Sequence, residues 1–339
     1  MIKWGILGTL AVAGLSAGAA GANTLEEVKA RGTLSCGVTT RLVGFAAQDS
    51  NGEWQGFDVA ICRAVAAVVL GDRNAVSFVP TTAVTRFEKL SSGEVDLLAR
   101  NTTWTFSHDV GQNFEFVGIN YYDGQGFLVP KARGVTSVKD LNGAAICVQE
   151  GTTTKLNLDD YFRQNKMTYE RVPVETNIDG QKQYLAGVCD TFTADASSLA
   201  STRATFETPG DHVLLPETIS KEPLALLVRH GDSEWADVVR WTLNALIAAE
   251  EMDVTSANII ELSAQPGDSP EINRLLGTEG DLGAQLGLDA DWAQKAIMAG
   301  GNYGEIFEKN IGEASPIGLP RGLNAQWTDG GLLYSPPFR

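Results

Sequence analysis

Between residues 33 and 228, short apolar β-branched runs alternate with stretches of helical periodicity, and the chain goes through this layout twice. In the first pass, residues 33–38 read as a strand. A helix then starts at Phe57, is carried by Val59, Ile61, Cys62, Val65, Val68 and Val69, and is stopped by Gly71 and Asp72. Residues 76–79 read as the next strand, 86–90 as a helical turn and 95–99 as a buried strand. The second pass runs through strand 127–129, a helix at 138–141 and strand 144–148. It continues with a helix opened by the loop 149–154, helical residues 184–187, strand 190–193, a helix from Ala196 and strand 224–228. Strands that alternate with helices predict parallel sheets covered on both faces, so two passes predict an α/β protein of two lobes. A helix over 24–31, capped by Thr24 and ended by Gly32, precedes this region. An amphipathic helix over 235–251 follows it, then a tail with helices near 289–299 and 303–309.

The first residues bound where the chain works. Lys3, the apolar run 4–12 and small residues ending Ala20-Gly21-Ala22 have the order of a secretory signal peptide over 1–22, cleaved near Asn23. The run is too short and too diluted with Gly, Ala and Ser for a membrane span. The expected mature protein is therefore exported to the periplasm. Cleavage removes one cation, Lys3, and no acid, leaving 25 basic and 42 acidic residues, net −17. Such a surface keeps a protein in solution and repels polyanions, so no nucleic-acid partner is expected. The mature length, 317 residues, exceeds what one core usually organises. Cys36, Cys62, Cys147 and Cys189 are an even set in an oxidising compartment, which predicts disulfides, with three pairings open. None has the close spacing of a zinc site or thiol oxidoreductase. With no P-loop, HExxH or nucleophile elbow either, no metal, cofactor or enzymatic activity is expected.

In sheets of this kind, ligands sit beyond the carboxyl ends of the strands. Three loops qualify. Arg100-Asn101-Thr102-Thr103 offers hydroxyls and free N–H groups to a carboxylate, or caps the next turn. Gly151-Thr152-Thr153-Thr154 opens a helix whose N–H groups and dipole suit an anion, and it lacks the lysine of a phosphate loop. Asp195 ends a strand, where it receives an ammonium or caps a helix. Donors for one carboxylate and an acid for one ammonium together fit an α-amino acid.

Longer blocks sharpen this reading. GFDVAICRAVAAVV at 56–69 resembles the signature of the bacterial extracellular solute-binding proteins, family 3. RNTTWTFSHD, NYYDGQGFLV, CVQEGTTTKLNLDDYF, ISKEPLALLVRHGD and GNYGEIFEKN resemble successive segments of the periplasmic general L-amino-acid-binding proteins that serve ABC transporters. The resemblance spans the mature chain. It implies a type II periplasmic binding protein, two α/β lobes joined by a two-strand hinge: lobe 1 over 23–125 and 226–339 with a C-terminal extension, lobe 2 over 128–222.

The resemblance also implies roles. Thr103, an arginine corresponding to position 108 and the N–H and hydroxyl of Thr153 would hold the ligand carboxylate, with Asp195 on the ammonium. This sequence has His108 where relatives carry arginine and Ala60 where they carry an acid. Imidazole reaches less far than guanidinium and is only partly charged near neutrality, so Arg41 and Arg100 are candidates for the missing cation. Phe45, Phe57, Phe87 and Trp104 are expected in the core rather than stacked on a ligand. A bridge between lobes would lock the hinge, so the expected disulfides are Cys36–Cys62 and Cys147–Cys189. The expected function is the binding component of an ABC uptake system for polar L-amino acids. It would act as a monomer that closes on its ligand and delivers it to an inner-membrane permease. The rival readings are a periplasmic hydro-lyase on the same scaffold, with His108, Glu150 and Asp195 as acid and base, a binding protein for another solute, and a sensor.

Overall fold

A computed structural model describes Met1 and residues 23–339; the expected signal peptide lies outside the described residues. Helix α1 (Thr24–Arg31) ends at Gly32, whose φ is 69°. Its cap is Asn23, which accepts the Glu26 N–H, and not Thr24. Thr24 is buried instead, its N–H donating to Asp232 at 2.7 Å and its hydroxyl accepting from Arg229 at 2.9 Å.

The first lobe continues through β1 (Leu34–Thr39), a ribbon of β2 (Ala47–Gln48) and β3 (Trp54–Gln55), α2 (Phe57–Leu70) and β4 (Val76–Thr81). After these come α3 (Arg86–Ser91), β5 (Leu97–Leu98) and β6 (Phe114–Asp123). At Asp123–Gln125 the chain crosses into a second lobe: β7 (Gln125–Pro130), β8 (Ala145–Gln149), α4 (Thr153–Gln164), β9 (Glu170–Val174), α5 (Asn177–Leu185), β10 (Thr191–Asp195), α6 (Ala196–Ala204) and β11 (His212–Leu214). It returns at 220–222 into β12 (Glu222–Arg229), α7 (Ser233–Glu251) and a tail of α8 (Ile259–Ala264), α9 (Pro270–Leu275), α10 (Leu282–Gln285), α11 (Trp292–Gly300) and α12 (Tyr303–Asn310). The helix expected at 138–141 is a single 3-10 turn.

The two sheets run β4-β1-β5-β12-β6 and β11-β7-β10-β8-β9. Three neighbours in each are parallel, as expected: β4, β1 and β5 in one, β10, β8 and β9 in the other. The remaining strands are antiparallel. The physical reason is the double crossing. A strand leaving a lobe and the strand returning to it must run in opposite senses, and β6 and β12 lie side by side with Glu222 opposite Asp123. The crossings touch: the Gln125 N–H donates to the Ser220 hydroxyl at 3.3 Å, and the Ile219 N–H to the Gln125 carbonyl at 3.0 Å.

Packing follows the apolar periodicities. Phe45 and Phe57 are buried, meeting Tyr121, Tyr303 and Phe307 edge-on at 5.5–6.5 Å between centroids. Trp104 differs from expectation: it is 38% exposed and stacks on Phe116 at the surface. Gly56, with φ 133°, lets the ribbon close over the start of α2, where a Cβ would meet the Phe45 carbonyl oxygen at 2.1 Å. The tail packs on α2 and α7, and beyond its last helix Asn324 reaches the edge strand β6, accepting the Tyr122 N–H at 2.7 Å and donating to the Tyr122 carbonyl at 3.0 Å.

Cys36 on β1 is bonded to Cys62 on α2, with Cα atoms 6.3 Å apart, and Cys147 on β8 to Cys189, 5.6 Å apart. Each bridge ties a strand to its own lobe and leaves the crossings free. The pairs are 26 and 42 residues apart in sequence. Loop-closure entropy then gives each a stabilisation of about 3 to 4 kcal/mol. Denaturant unfolding should show losses of this order for C36A/C62A and for C147A/C189A, with the second pair losing slightly more.

Candidate functional site

The carboxyl ends of both sheets face each other across a cleft beside the crossings. The first lobe contributes Thr39 and Thr40 after β1, Thr82 and Arg86 after β4, and Arg100, Asn101 and Thr103 after β5. The second contributes the Thr152–Thr154 turn after β8, Thr176 and Asn177 after β9, and Thr193, Asp195 and Ser198 around the end of β10. Together they enclose a cavity of about 60 Å³ lined mainly by hydroxyl, amide and charged groups.

Its electrostatics are set by burial. Arg86 is buried, and its guanidinium is driven well below its usual range by desolvation, with Arg100 adding repulsion and Asp195 opposing. Arg100 is pushed down to about 10 by burial, against the pull of Asp195 and Asp58. Asp195 is partly buried and lines the cavity. Burial raises it well above the carboxylate range, Asp123 and Glu222 add to this, and Arg100 and Arg86 oppose it. Asp123 is raised to about 6 by burial although the Ser197 and Gly124 N–H groups and the Ser197 hydroxyl donate to it. Asp58, on the first turn of α2, is raised to about 7 by burial, and Asn120 donates to one of its oxygens at 3.2 Å.

Asp195 occupies the cap position of α6, yet its carboxylate makes no capping bond and is left to the cavity. Thr152 precedes α4 likewise without capping it, because its hydroxyl donates to the Gln149 carbonyl at 2.7 Å. Asn101, held at φ 34°, has both amide atoms buried with no partner among the described residues, and the Nε groups of Arg86 and Arg100 are also unmatched. Orphaned buried groups are costly, and here they converge on one cavity.

One group changes the expected geometry. Glu222, buried at the head of β12, accepts hydroxyl protons from Thr103 and from Thr153, the latter at 3.0 Å, on one oxygen. Asn157 and Ser220 donate to the other at 2.6 and 2.7 Å. Thr103 belongs to the first lobe and Thr153 and Asn157 to the second, so this carboxylate spans the cleft. The hydroxyls of Thr103 and Thr153, both expected on a ligand carboxylate, here meet the Glu222 carboxylate.

Of the residues singled out in the sequence, Arg100, Asn101, Thr103, Thr152, Thr153 and Asp195 line the cavity. Thr102 is buried behind it, its hydroxyl donating to the Arg100 carbonyl and its carbonyl accepting the Ala225 N–H, so it shapes the loop. His108 does not reach the cavity: it sits on a π-helical turn with Nδ1 3.0 Å from the Thr103 carbonyl and its ring 4.9 Å from Phe87, where burial lowers its pKa. Arg41 lies outside, on an adjoining groove. Sequence reasoning missed Arg86 and Glu222. The signal for Arg86 was a cation in the first turn of a helix, against the dipole. For Glu222 it was an acid directly before the apolar run 223–228.

Residues 34–260 match the family described as bacterial extracellular solute-binding proteins, family 3. Over 339 residues, all of both chains, the sequence is 58% identical to a glutamate/glutamine/aspartate/asparagine-binding protein of Rhodobacter capsulatus. It is 52% identical to a general L-amino acid-binding periplasmic protein of Rhizobium johnstonii, over 97% of this chain and 96% of that one. Among solved structures, an ABC transporter periplasmic binding protein from Brucella ovis with glutathione bound superposes with a TM-score of 0.92 at 55% identity, covering 94% of this chain and 100% of that one.

The raised carboxyls set a pH dependence of stability. Asp58 holds its proton to about pH 7 when folded, against an ordinary value of 3.8. The folded state therefore binds more protons than the unfolded one between those values, and stability falls as pH rises through that window. Three units correspond to about 4 kcal/mol. Unfolding midpoints measured at pH 5 and 8 should fall in that order for the native protein, and Asp58→Asn should flatten the slope.

Proposed function

The chain belongs to the bacterial extracellular solute-binding proteins, family 3, and on that premise we propose that this cavity takes the head group of a polar L-amino acid, acidic ones and their amides included. The fold is the type II periplasmic binding fold, and the protein is a periplasmic binding protein, not an enzyme. It serves as the substrate-binding component of an ABC importer. The lobes, taken as residues 23–125 with 226–339 and 128–222, close about the crossings at 123–125 and 220–222. The closed form is handed to an inner-membrane permease, and the protein acts as a monomer after its signal peptide is removed at about residue 22.

The observation that carries this reading is the set of unmatched groups around one cavity: two guanidinium Nε groups, both atoms of the Asn101 amide, and a carboxylate free of any cap. Asp195 receives the α-ammonium, which restores the negative charge that burial suppresses. Arg100 and the first-turn N–H groups of α4 hold the α-carboxylate. Arg86 faces the polar end of the side chain. The second cation fits the names of the relatives, one of which binds glutamate and aspartate with their amides. Glutathione in the Brucella ovis protein presents a glutamyl end with the same ammonium and carboxylate. Nothing favours the hydro-lyase, since His108 is turned away and relatives along the whole chain are binding proteins.

Calorimetric titration tests this. L-Glutamate, L-aspartate, L-glutamine and L-asparagine should bind the mature protein, and a panel of L-amino acids without one binder would overturn the reading. Asp195→Ala should weaken binding by 2 to 5 kcal/mol, about 30-fold to several thousand-fold. Arg86→Met should cost the acidic ligands more than their amides.

A further inference from the structure

The unused cations lead to a second chamber. Beyond the cavity, a groove of about 250 Å³ runs between the loop carrying Arg41 and Leu42 and the helices α5 and α6, whose Gln181, Lys182, Ser201 and Thr205 line it. Leu42 borders both spaces, and each helix passes from one to the other: Asn177 and Ser198 line the inner cavity, and residues one or two turns on line the outer. From Ser198 to Ser201 is about 4.5 Å along α6 at 1.5 Å per residue, a distance that a glutamyl side chain and one further residue at about 3.5 Å cover.

Two independent features mark the groove as a place for an anion. Arg41 and Lys182 are exposed and, among the described residues, make no ion pair, in a chain whose net charge is −16. Asp179, one turn before Lys182, is engaged by the Thr176 N-cap. Ser201 is fully buried in the groove wall, and its hydroxyl has no partner among the described residues.

We infer that this groove is an outer subsite for the distal carboxylate of an elongated ligand, an amino acid whose side chain is extended through an amide and ends in a carboxylate. The inference rests on the amino-acid reading of the inner cavity. The head group docks on Asp195 and Arg100, the chain passes Leu42, and the far carboxylate meets Arg41, Lys182 and the Ser201 hydroxyl. A free amino acid leaves the outer groove to water.

The test titrates the mature protein with L-glutamate, γ-L-glutamylglycine and the same dipeptide with its glycine carboxylate capped as an amide. Native protein should bind γ-glutamylglycine about fivefold to tenfold more tightly than the capped form, the scale of one net hydrogen bond at an exposed site. Lys182→Ala should remove most of that difference, Lys182→Ala with Arg41→Ala the rest, and Lys182→Ala should leave L-glutamate within twofold. The subsite is overturned if L-glutamate binds while γ-glutamylglycine does not. It is equally overturned if γ-glutamylglycine binds native protein no better than its amide. Binding of none of the three removes the amino-acid reading as well.

Discussion

A single carboxylate holds the geometry of the cleft. Glu222 lies one residue from the point where the chain returns between lobes, and its four donors come from both lobes and from the crossing itself. A buried carboxylate is stable only when its oxygens are met, so these donors have little freedom once the cleft closes. Glu222 ties Thr103 of the first lobe to Thr153 and Asn157 at the start of α4 in the second.

The charge of the cavity is set by burial. Asp195 lines it with Arg86 and Arg100, and burial holds Asp195, and Asp58 and Asp123 outside the lining, toward their neutral forms. On the proposed reading, an ammonium beside Asp195 would favour its ionised form, against the influence of burial, Asp123 and Glu222.

The alternation of strand and helix was legible because period-2 and period-3.6 patterns survive in a single sequence, and so α2 begins at Phe57 and stops at Gly71 as its residues indicate. Strand β6 was not, because Asn120 and Asp123 break its apolar pattern for reasons that lie elsewhere in the fold. The cavity loops were legible as strand ends followed by hydroxyls. Arg86 and Glu222 were not, since three of the four donors to Glu222 lie 65 to 119 residues away in sequence and the Arg86 Nε has no partner among the described residues. Position 108 shows the converse: the sequence marks the departure from the family, while only the packing against Phe87 and the Thr103 carbonyl shows where the imidazole goes.

The contact between Asn324 and Tyr122 concerns the outside of the molecule. Strand β6 is the last in its sheet, and a last strand presents backbone donors and acceptors that any other extended chain can use. The asparagine amide answers both groups of one residue there, as a neighbouring strand would, directly before the chain leaves for the second lobe. The family match ends at residue 260, so the segment that supplies this amide lies beyond the matched region, in a tail that the full-length relative also covers. The extension thereby occupies one backbone donor and acceptor of the sheet margin, beside the crossing, and withholds that pair from any other extended chain.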